Sequence, residues 1–332
     1  MIITRTPFRI SLFGGGTDHP IWFKKNGGLV VSFAIDKFCY ITTRTLPPFF
    51  EHKYRVAYSQ VETVKSIEEI RHPVVRECIL RYAKDCYLEI HHDGDLPARS
   101  GIGSSSAFVV GMIQSLLALR RQSVSRSALA DFAIEMEQEV LKENVGWQDQ
   151  IACSIGGINR IEFNSDGNWQ AMPIKMKPYD ELDLSSRMVL IFTGVHRNST
   201  DVTLRLLQNL ERKVSNESMR RMMTLASECH SILSSSGDLD LIGEMLDESW
   251  NLKTLLNPLS TNDLLDTWYK RGKKAGALGG KILGAGGGGF FLYWIKKGER
   301  EEFLSRMGTV TAVPIKICHD GTSIIYRGLD NG

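Results

Sequence analysis

The chain has 332 residues, enough for a sizeable core and more than a single core usually holds, so two domains are expected. With Lys+Arg at 40 against Asp+Glu at 38, its net charge of +2 gives no support for nucleic acid or an anionic membrane as the main partner, and 42% hydrophobic with 23% charged residues is ordinary for a soluble globular protein. No apolar run approaches the roughly 20 residues that span a bilayer, the start Met1–Ser11 lacks the apolar core of a signal peptide, and the cysteines (39, 78, 86, 153, 229 and 318) form no Cys-x-x-Cys pair, which predicts a cytoplasmic chain with reduced thiols.

In chain order, the N-terminal part reads as β-rich. Arg9–Phe13 is a short strand ending at Gly14-Gly15-Gly16. Leu29–Leu46, rich in β-branched and aromatic residues, is a second strand, and Tyr54–Tyr58 and Tyr87–His91 are two more. Between the last two, Pro73–Lys84 reads as a helix with proline in its first turn. Ser104–Arg120 carries a helical stripe of Phe108, Met112, Leu116 and Leu119, and Ser125–Glu143 is an amphipathic helix opened by a capping serine. Ile158–Phe163 and Trp169–Ile174 are strands around an Asp166-Gly167-Asn168 turn. The polar stretch Lys175–Ser186, which contains Pro178, is the expected boundary between a domain of residues 1–180 and one of residues 181–332. Met188–Thr193 reads as a buried strand and residues 200–277 as mostly helical, broken near Gly237 and Pro258. The strands Lys281–Leu283 and Phe290–Ile295, a helix Glu299–Met307 and two closing strands complete the chain. Strands and helices segregate, so the expected fold class is α+β.

Four segments carry chemistry. The first is Pro97-Ala98-Arg99-Ser100-Gly101-Ile102-Gly103-Ser104-Ser105-Ser106-Ala107, a Gly/Ser loop running straight into an apolar-striped helix. Free N–H groups and the positive dipole end at a helix N-terminus make an anion site, although an ordinary Ser-capped helix has the same look. The second is the glycine run from Gly279-Gly280-Lys281 through Gly284-Ala285-Gly286-Gly287-Gly288-Gly289. It formally contains GxGxxG, yet a buried strand follows where a dinucleotide fingerprint needs a helix, and Ile282 stands where a Walker A loop needs Ser or Thr. Close approach of backbone to a ligand, or a hairpin turn, explains such a run. The third is Arg9 through Asp18, a strand delivering Arg9 before Gly14-Gly15-Gly16-Thr17-Asp18. The fourth is Glu137 on a helix, followed by Gly146-Trp147-Gln148-Asp149-Gln150. Two such carboxylates suit a metal ligand and a base, since Mg²⁺ is usually held by one or two carboxylates plus substrate phosphates.

Taken together, the four segments resemble the GHMP kinases. Pro-x-x-x-Gly-Ile-Gly-Ser-Ser-Ser-Ala is similar to the family's central motif, Thr6–Asp18 to its first and Gly284–Gly289 to its third, in the right order and across nearly the whole chain. The resemblance implies a two-domain fold with the active site in the cleft between domains, and ATP and Mg²⁺ as cofactors. It implies that Asp149 is the catalytic base and Arg9 the residue that assists it. Pro97, Gly101, Gly103, Ser104, Ser105 and Ser106 would form the ATP phosphate loop, with Ser105 and Glu137 as the Mg²⁺ ligands. Gly15, Gly16, Thr17, Asp18, Gly284, Gly286 and Gly287 would line the substrate site. The partner would be a small-molecule sugar phosphate, and Arg197, on a strand-end loop, is the residue expected to bind its phosphate. Galactokinases have Glu-His where Gly15-Gly16 stand, which argues against galactose. The Phe-Gly-Gly-Gly-Thr-Asp start most resembles the kinases of heptose 7-phosphate, which phosphorylate the anomeric 1-hydroxyl on the way to nucleotide-activated heptose and surface polysaccharide. Trp147, His19 and Trp22 depart from that pattern. Another anomeric sugar kinase, such as a fucokinase, a non-catalytic ligand-binding protein of the same fold, and a diphosphomevalonate decarboxylase are the alternatives.

Overall fold

The computed structural model describes residues 1–195, 199–211 and 216–328, with side chains 199 and 200 left aside. Arg197, the expected phosphate ligand, lies outside the described residues.

Strand β1 (Ile2–Phe13) pairs antiparallel along β2 (Gly28–Thr45), with helix α1 (Pro20–Asn26) in the connection between them. The strands β3 (Tyr54–Ala57) and β4 (Val61–Val64) form a hairpin, and helix α2 (Pro73–Tyr82) leads to β5 (Leu88–Gly94). Then come α3 (Ser104–Leu119), α4 (Arg126–Glu135), a π-helical turn at Met136–Val140, and α5 (Gln148–Ile155). The hairpin β6 (Ile158–Phe163) and β7 (Trp169–Pro173) ends this half. Strand β2 is long enough to pair with β5 along its second half and with β6 along its first. Along Cys39–Thr43 its side chains alternate between buried and half-buried, the period of two that a one-sided sheet requires.

Helix α6 (Pro178–Arg187) leads into β8 (Met188–Phe192), and α7 (Ser199–Glu211), α8 (Asn216–Ser234), α9 (Asp240–Leu256) and α10 (Asp263–Ala275) follow. Strands β9 (Gly279–Ile282) and β10 (Phe290–Trp294), helix α11 (Arg300–Met307) and strand β11 (Thr311–Val313) complete a second, antiparallel sheet in the order β11-β8-β10-β9. The last described strand, β12 (Ser323–Arg327), returns to the first sheet beside β1.

The architecture is α+β, with helices laid against two separate sheets. The largest of three hydrophobic clusters among the described residues runs through both halves, from Ile10, Leu12 and Ile41 through Val109 and Met112 to Leu225, Leu246, Leu190 and Leu292. Helix α3 is buried on nearly every side and packs on β1, β2 and α5. That placement explains its run of apolar and small residues, broken only by Gln114.

Several elements differ from the sequence expectation. The polar stretch around Pro178 forms α6, because proline sits in its first turn, where no N–H partner is required. The helix expected over Ser125–Glu143 loosens into a π turn at Met136. Helix α1, strand β4 and helix α5 have no counterpart in the expectation; the first and last are a turn or two long, and such short runs leave little periodicity to read.

Candidate active site

Three elements deliver the central charges. Arg9 leaves β1 toward α5, where Asp149 occupies the first turn. Arg9 Nε donates to Asp149 Oδ1 and Nη2 to Oδ2, both at 2.6 Å, a two-pronged pair that fixes the carboxylate in plane with the guanidinium. Arg9 Nη1 donates to the Gly101 carbonyl at 2.7 Å, and its backbone N–H to the Ile102 carbonyl at 3.0 Å. One arginine therefore ties the Gly/Ser loop to Asp149. Arg9 is 4% exposed and Asp149 25%, so the carboxylate alone keeps an open side. Burial works against the Arg9 charge, but the facing Asp149 outweighs it and raises the guanidinium above its usual range.

The Gly/Ser loop is built for close backbone approach. Gly103 is the N-cap of α3 in a left-handed conformation, and no side chain caps the helix, so its first N–H groups are available to an anion. Ser100 Oγ donates to the Pro97 carbonyl at 2.6 Å, and Ser104 Oγ accepts from Arg99 N at 3.2 Å. Ser105 is exposed at the helix start. The glycine run of the second sheet lies against this loop: a Cβ on Gly284 would sit 2.6 Å from Gly101 Cα, and Phe290 N donates to the Ser100 carbonyl at 3.1 Å. Gly286 and Gly287 lean instead on Ser260, whose carbonyl accepts from Gly287 N at 2.9 Å.

Glu137 is fully buried in the π turn. Ser106 Oγ donates to its two oxygens at 3.1 and 2.9 Å, and Gln150 Nε2 donates to Oε2. The serine that reaches Glu137 is thus Ser106 and not Ser105. Burial and then the neighbouring Glu143 push the Glu137 carboxyl up to about 8, against the opposing hydrogen bonds. Gln150 Oε1 beside it is buried without a partner among the described residues. A desolvated carboxylate and an orphaned amide oxygen, facing no cation, are the donor set a hard divalent cation would satisfy.

The glycine loop after β1 is clamped to α5. Thr17 is buried, donating to the Gly14 carbonyl at 2.7 Å. Asp18 is buried too; its oxygens accept from Gly16 N at 2.9 Å and Gln148 N at 3.2 Å, and its carbonyl accepts from Trp147 N at 3.2 Å. Both side chains hold the loop's shape, while Gly15 and Gly16 are partly open, Gly15 toward Gln148 of Asp149's helix and Gly16 toward Leu206 and Met219.

Two lysines at this junction escape sequence reasoning. Lys281 is buried and donates from Nζ to the Leu12 carbonyl at 2.7 Å, bridging the two sheets. Lys253 donates to the Gly284 carbonyl at 2.6 Å and to Ile282 at 3.2 Å. Neither pairs with a carboxylate among the described residues. Burial, with Arg9 nearby, pushes the Lys281 ammonium down to about 7. Lys281 stands out in the sequence only as the lysine of a failed Walker A pattern, and Lys253 reads as a solvated helix residue.

The class this fold and site define is confirmed by comparison with known proteins. Residues 71–157 match the GHMP kinases N terminal domain and residues 225–310 the GHMP kinases C terminal, together just over half of the chain. The chain belongs to the GHMP kinase family and is an ATP-dependent kinase. It is 28% identical over 303 residues to a D-glycero-alpha-D-manno-heptose 7-phosphate kinase of Campylobacter jejuni, covering 89% of each chain. It is 26% identical to the bifunctional fucokinase/GDP-fucose pyrophosphorylase of Arabidopsis thaliana, covering 90% of this chain and 30% of that one. Among solved structures, a D-glycero-D-manno-heptose 1-phosphate kinase from Bacteriodes thetaiotaomicron superposes with a TM-score of 0.81 at 22% identity, over 99% of this chain and 100% of that one. No helix among the described residues is long and apolar enough to cross a membrane.

Proposed function

We propose that this kinase transfers the γ-phosphoryl group of ATP to the anomeric 1-hydroxyl of D-glycero-D-manno-heptose 7-phosphate, giving the 1,7-bisphosphate used for nucleotide-activated heptose and surface polysaccharide. The observation that carries the reading is the Arg9–Asp149 pair, hydrogen-bonded to the Gly101 carbonyl of the loop that opens α3. Phosphoryl transfer asks the protein mainly for positioning and charge stabilisation. The free N–H groups of α3 would receive the ATP phosphates, with Gly101 and Gly103 allowing their approach. Asp149, oriented by Arg9, takes the proton of the attacking hydroxyl through its open side. Glu137, held by Ser106 and Gln150, and Ser105, at the exposed start of the helix, would be the protein ligands that hold Mg²⁺. Mg²⁺ held there would supply positive charge to offset that of the ATP phosphates. In this reading residues 1–180 carry the phosphate loop and base, and residues 181–332 close the site with the glycine run at Gly284–Gly287; the work is cytoplasmic.

The choice of sugar rests on the Gly14-Gly15-Gly16-Thr17-Asp18 start and on the name of the Campylobacter jejuni relative. A panel of heptose 7-phosphate, unphosphorylated heptose, fucose and galactose, assayed for ADP release, tests it. The heptose 7-phosphate should have the highest kcat/KM, with the new phosphate on the anomeric carbon by phosphorus NMR. Equal kcat/KM with and without the 7-phosphate, or preference for fucose, would overturn the substrate while leaving the kinase.

A further inference from the structure

Buried polar atoms almost always find a partner, and one without a partner among the described residues is a place where water or a ligand can supply it. One such atom, on Ser11, lies near the amide nitrogen of a side chain next to the proposed base, and the oxygen of that same amide is a second. Ser11 is 7% exposed, and its Oγ is inaccessible and unpartnered among the described residues. Gln148 Oε1 is in the same condition. Ser11 lies two residues beyond Arg9 in an unbroken stretch of β1 pairing, hence on the same face. Gln148 immediately precedes Asp149 in the first turn of α5. Both face the space above Gly15, where an added Cβ would lie 3.6 Å from Gln148 Nε2 and 3.6 Å from Ser11 Oγ. Any larger residue at position 15 would project between them.

We propose that Ser11 and Gln148 form a recognition subsite for a neutral hydroxyl of the acceptor, in the gap that Gly15 leaves open. The inference rests on the reading of Asp149 as the base that faces the acceptor. The chemistry of the pair selects the group. A serine hydroxyl donates and accepts, and a primary amide does both from adjacent atoms, so together they match a hydroxyl, which also does both. Neither carries charge, which suits a sugar hydroxyl better than a phosphate. The backbone N–H of Gln148 is held by Asp18 Oδ2 at 3.2 Å, so the amide side chain starts from a fixed point. The occupant is thus a hydroxyl near the attacking one, and the pair sets which sugars fit. Ser32, opposite Ser11 across the β1–β2 pairing, also has an unpartnered hydroxyl, so an internal water shared by the two serines is the competing occupant.

Steady-state kinetics on Ser11→Ala, Gln148→Met and Gly15→Ala test this, using the sugar that the wild-type enzyme turns over best. Should heptose 7-phosphate not be that sugar, the wild-type panel alone shows it and the subsite is judged on the preferred one. Ser11→Ala and Gln148→Met should each raise the acceptor KM by roughly three- to tenfold, as expected for one lost neutral hydrogen bond, Gly15→Ala should raise it by filling the gap, and all three should leave the KM for ATP unchanged. With a set of monodeoxy acceptors, one analogue should cost the wild type the same factor and cost Ser11→Ala or Gln148→Met nothing further. An unchanged acceptor KM in both Ser11→Ala and Gln148→Met, in proteins that still bind ATP like wild type, overturns the subsite and assigns the space to water. So does a penalty that adds independently to every deoxy analogue.

Discussion

Two carboxylates flank the start of α3, and their surroundings differ in kind. Asp149 is gripped by a guanidinium, half-open to solvent, and needs nothing further to hold its geometry. Glu137 is sealed, held only by the neutral donors of Ser106 and Gln150, and pushed up to about 8 by burial and Glu143. One carboxylate is paired with a buried cationic side chain, and the other is met by neutral donors alone among the described residues. The difference teaches how a phosphoryl-transfer site divides its labour. In the proposed mechanism the group that would meet the acceptor proton is pre-oriented by protein alone, while the group proposed to hold Mg²⁺ is met only by neutral donors among the described residues.

The comparison breaks most sharply at Asp149. Asp149→Asn should lower kcat by about 10²–10⁴, the usual worth of general base catalysis. A variant retaining more than about half of the wild-type kcat would remove Asp149 from the mechanism. Arg9→Lys comes next: a point charge replaces a planar fork, so kcat should fall by roughly tenfold or more with thermal stability also reduced, because the bond to the Gly101 carbonyl is lost as well. Glu137→Gln sharpens the other side. The apparent Mg²⁺ requirement at fixed ATP should rise several-fold while the acceptor KM holds, and an unchanged Mg²⁺ titration would return Glu137 to a structural role.

The smallest expected effect concerns Lys281, a buried lysine with no carboxylate partner among the described residues. Burial, with Arg9 adding repulsion and Cys229 opposing it, lowers its folded pKa to about 7. The unfolded chain then holds more protons from that point up to the ordinary lysine range, so this group makes stability rise with pH across the window. Lys281→Met should therefore melt a few degrees above wild type below pH 7, by an amount set by the buried charge it removes. The gain should shrink as pH rises toward about 10. A pH-independent difference in melting temperature would show that Lys281 is tolerated as an ion.

Much of this site was legible in the sequence because backbone requirements leave marks. Glycines at 101 and 284 mark where two loops touch, Gly103 lies against Arg9 and Asp149, and the strand from Arg9 into three glycines marks where the sheet turns into the site. The pairing of Arg9 with Asp149, 140 positions apart, was available only through family likeness, since nothing local links them. Three consecutive serines illustrate the limit. Which of Ser104, Ser105 and Ser106 meets Glu137 depends on the helical phase of α3 and on the π turn that re-aims Glu137, and neither is visible in composition. Lys253 and Lys281 were missed for a related reason: a lysine that bridges buried carbonyls has the same sequence signature as one in water.

The division of labour between the two carboxylates is tested most directly by calorimetric titration of ATP, with and without Mg²⁺, into wild type, Asp149→Asn and Glu137→Gln. Asp149→Asn should bind Mg²⁺-ATP as tightly as wild type, while Glu137→Gln should lose most of the enhancement that Mg²⁺ gives to ATP binding. Equal loss of that enhancement in both variants, or its retention in Glu137→Gln, would contradict the assignment of proton and metal to separate corners of the site.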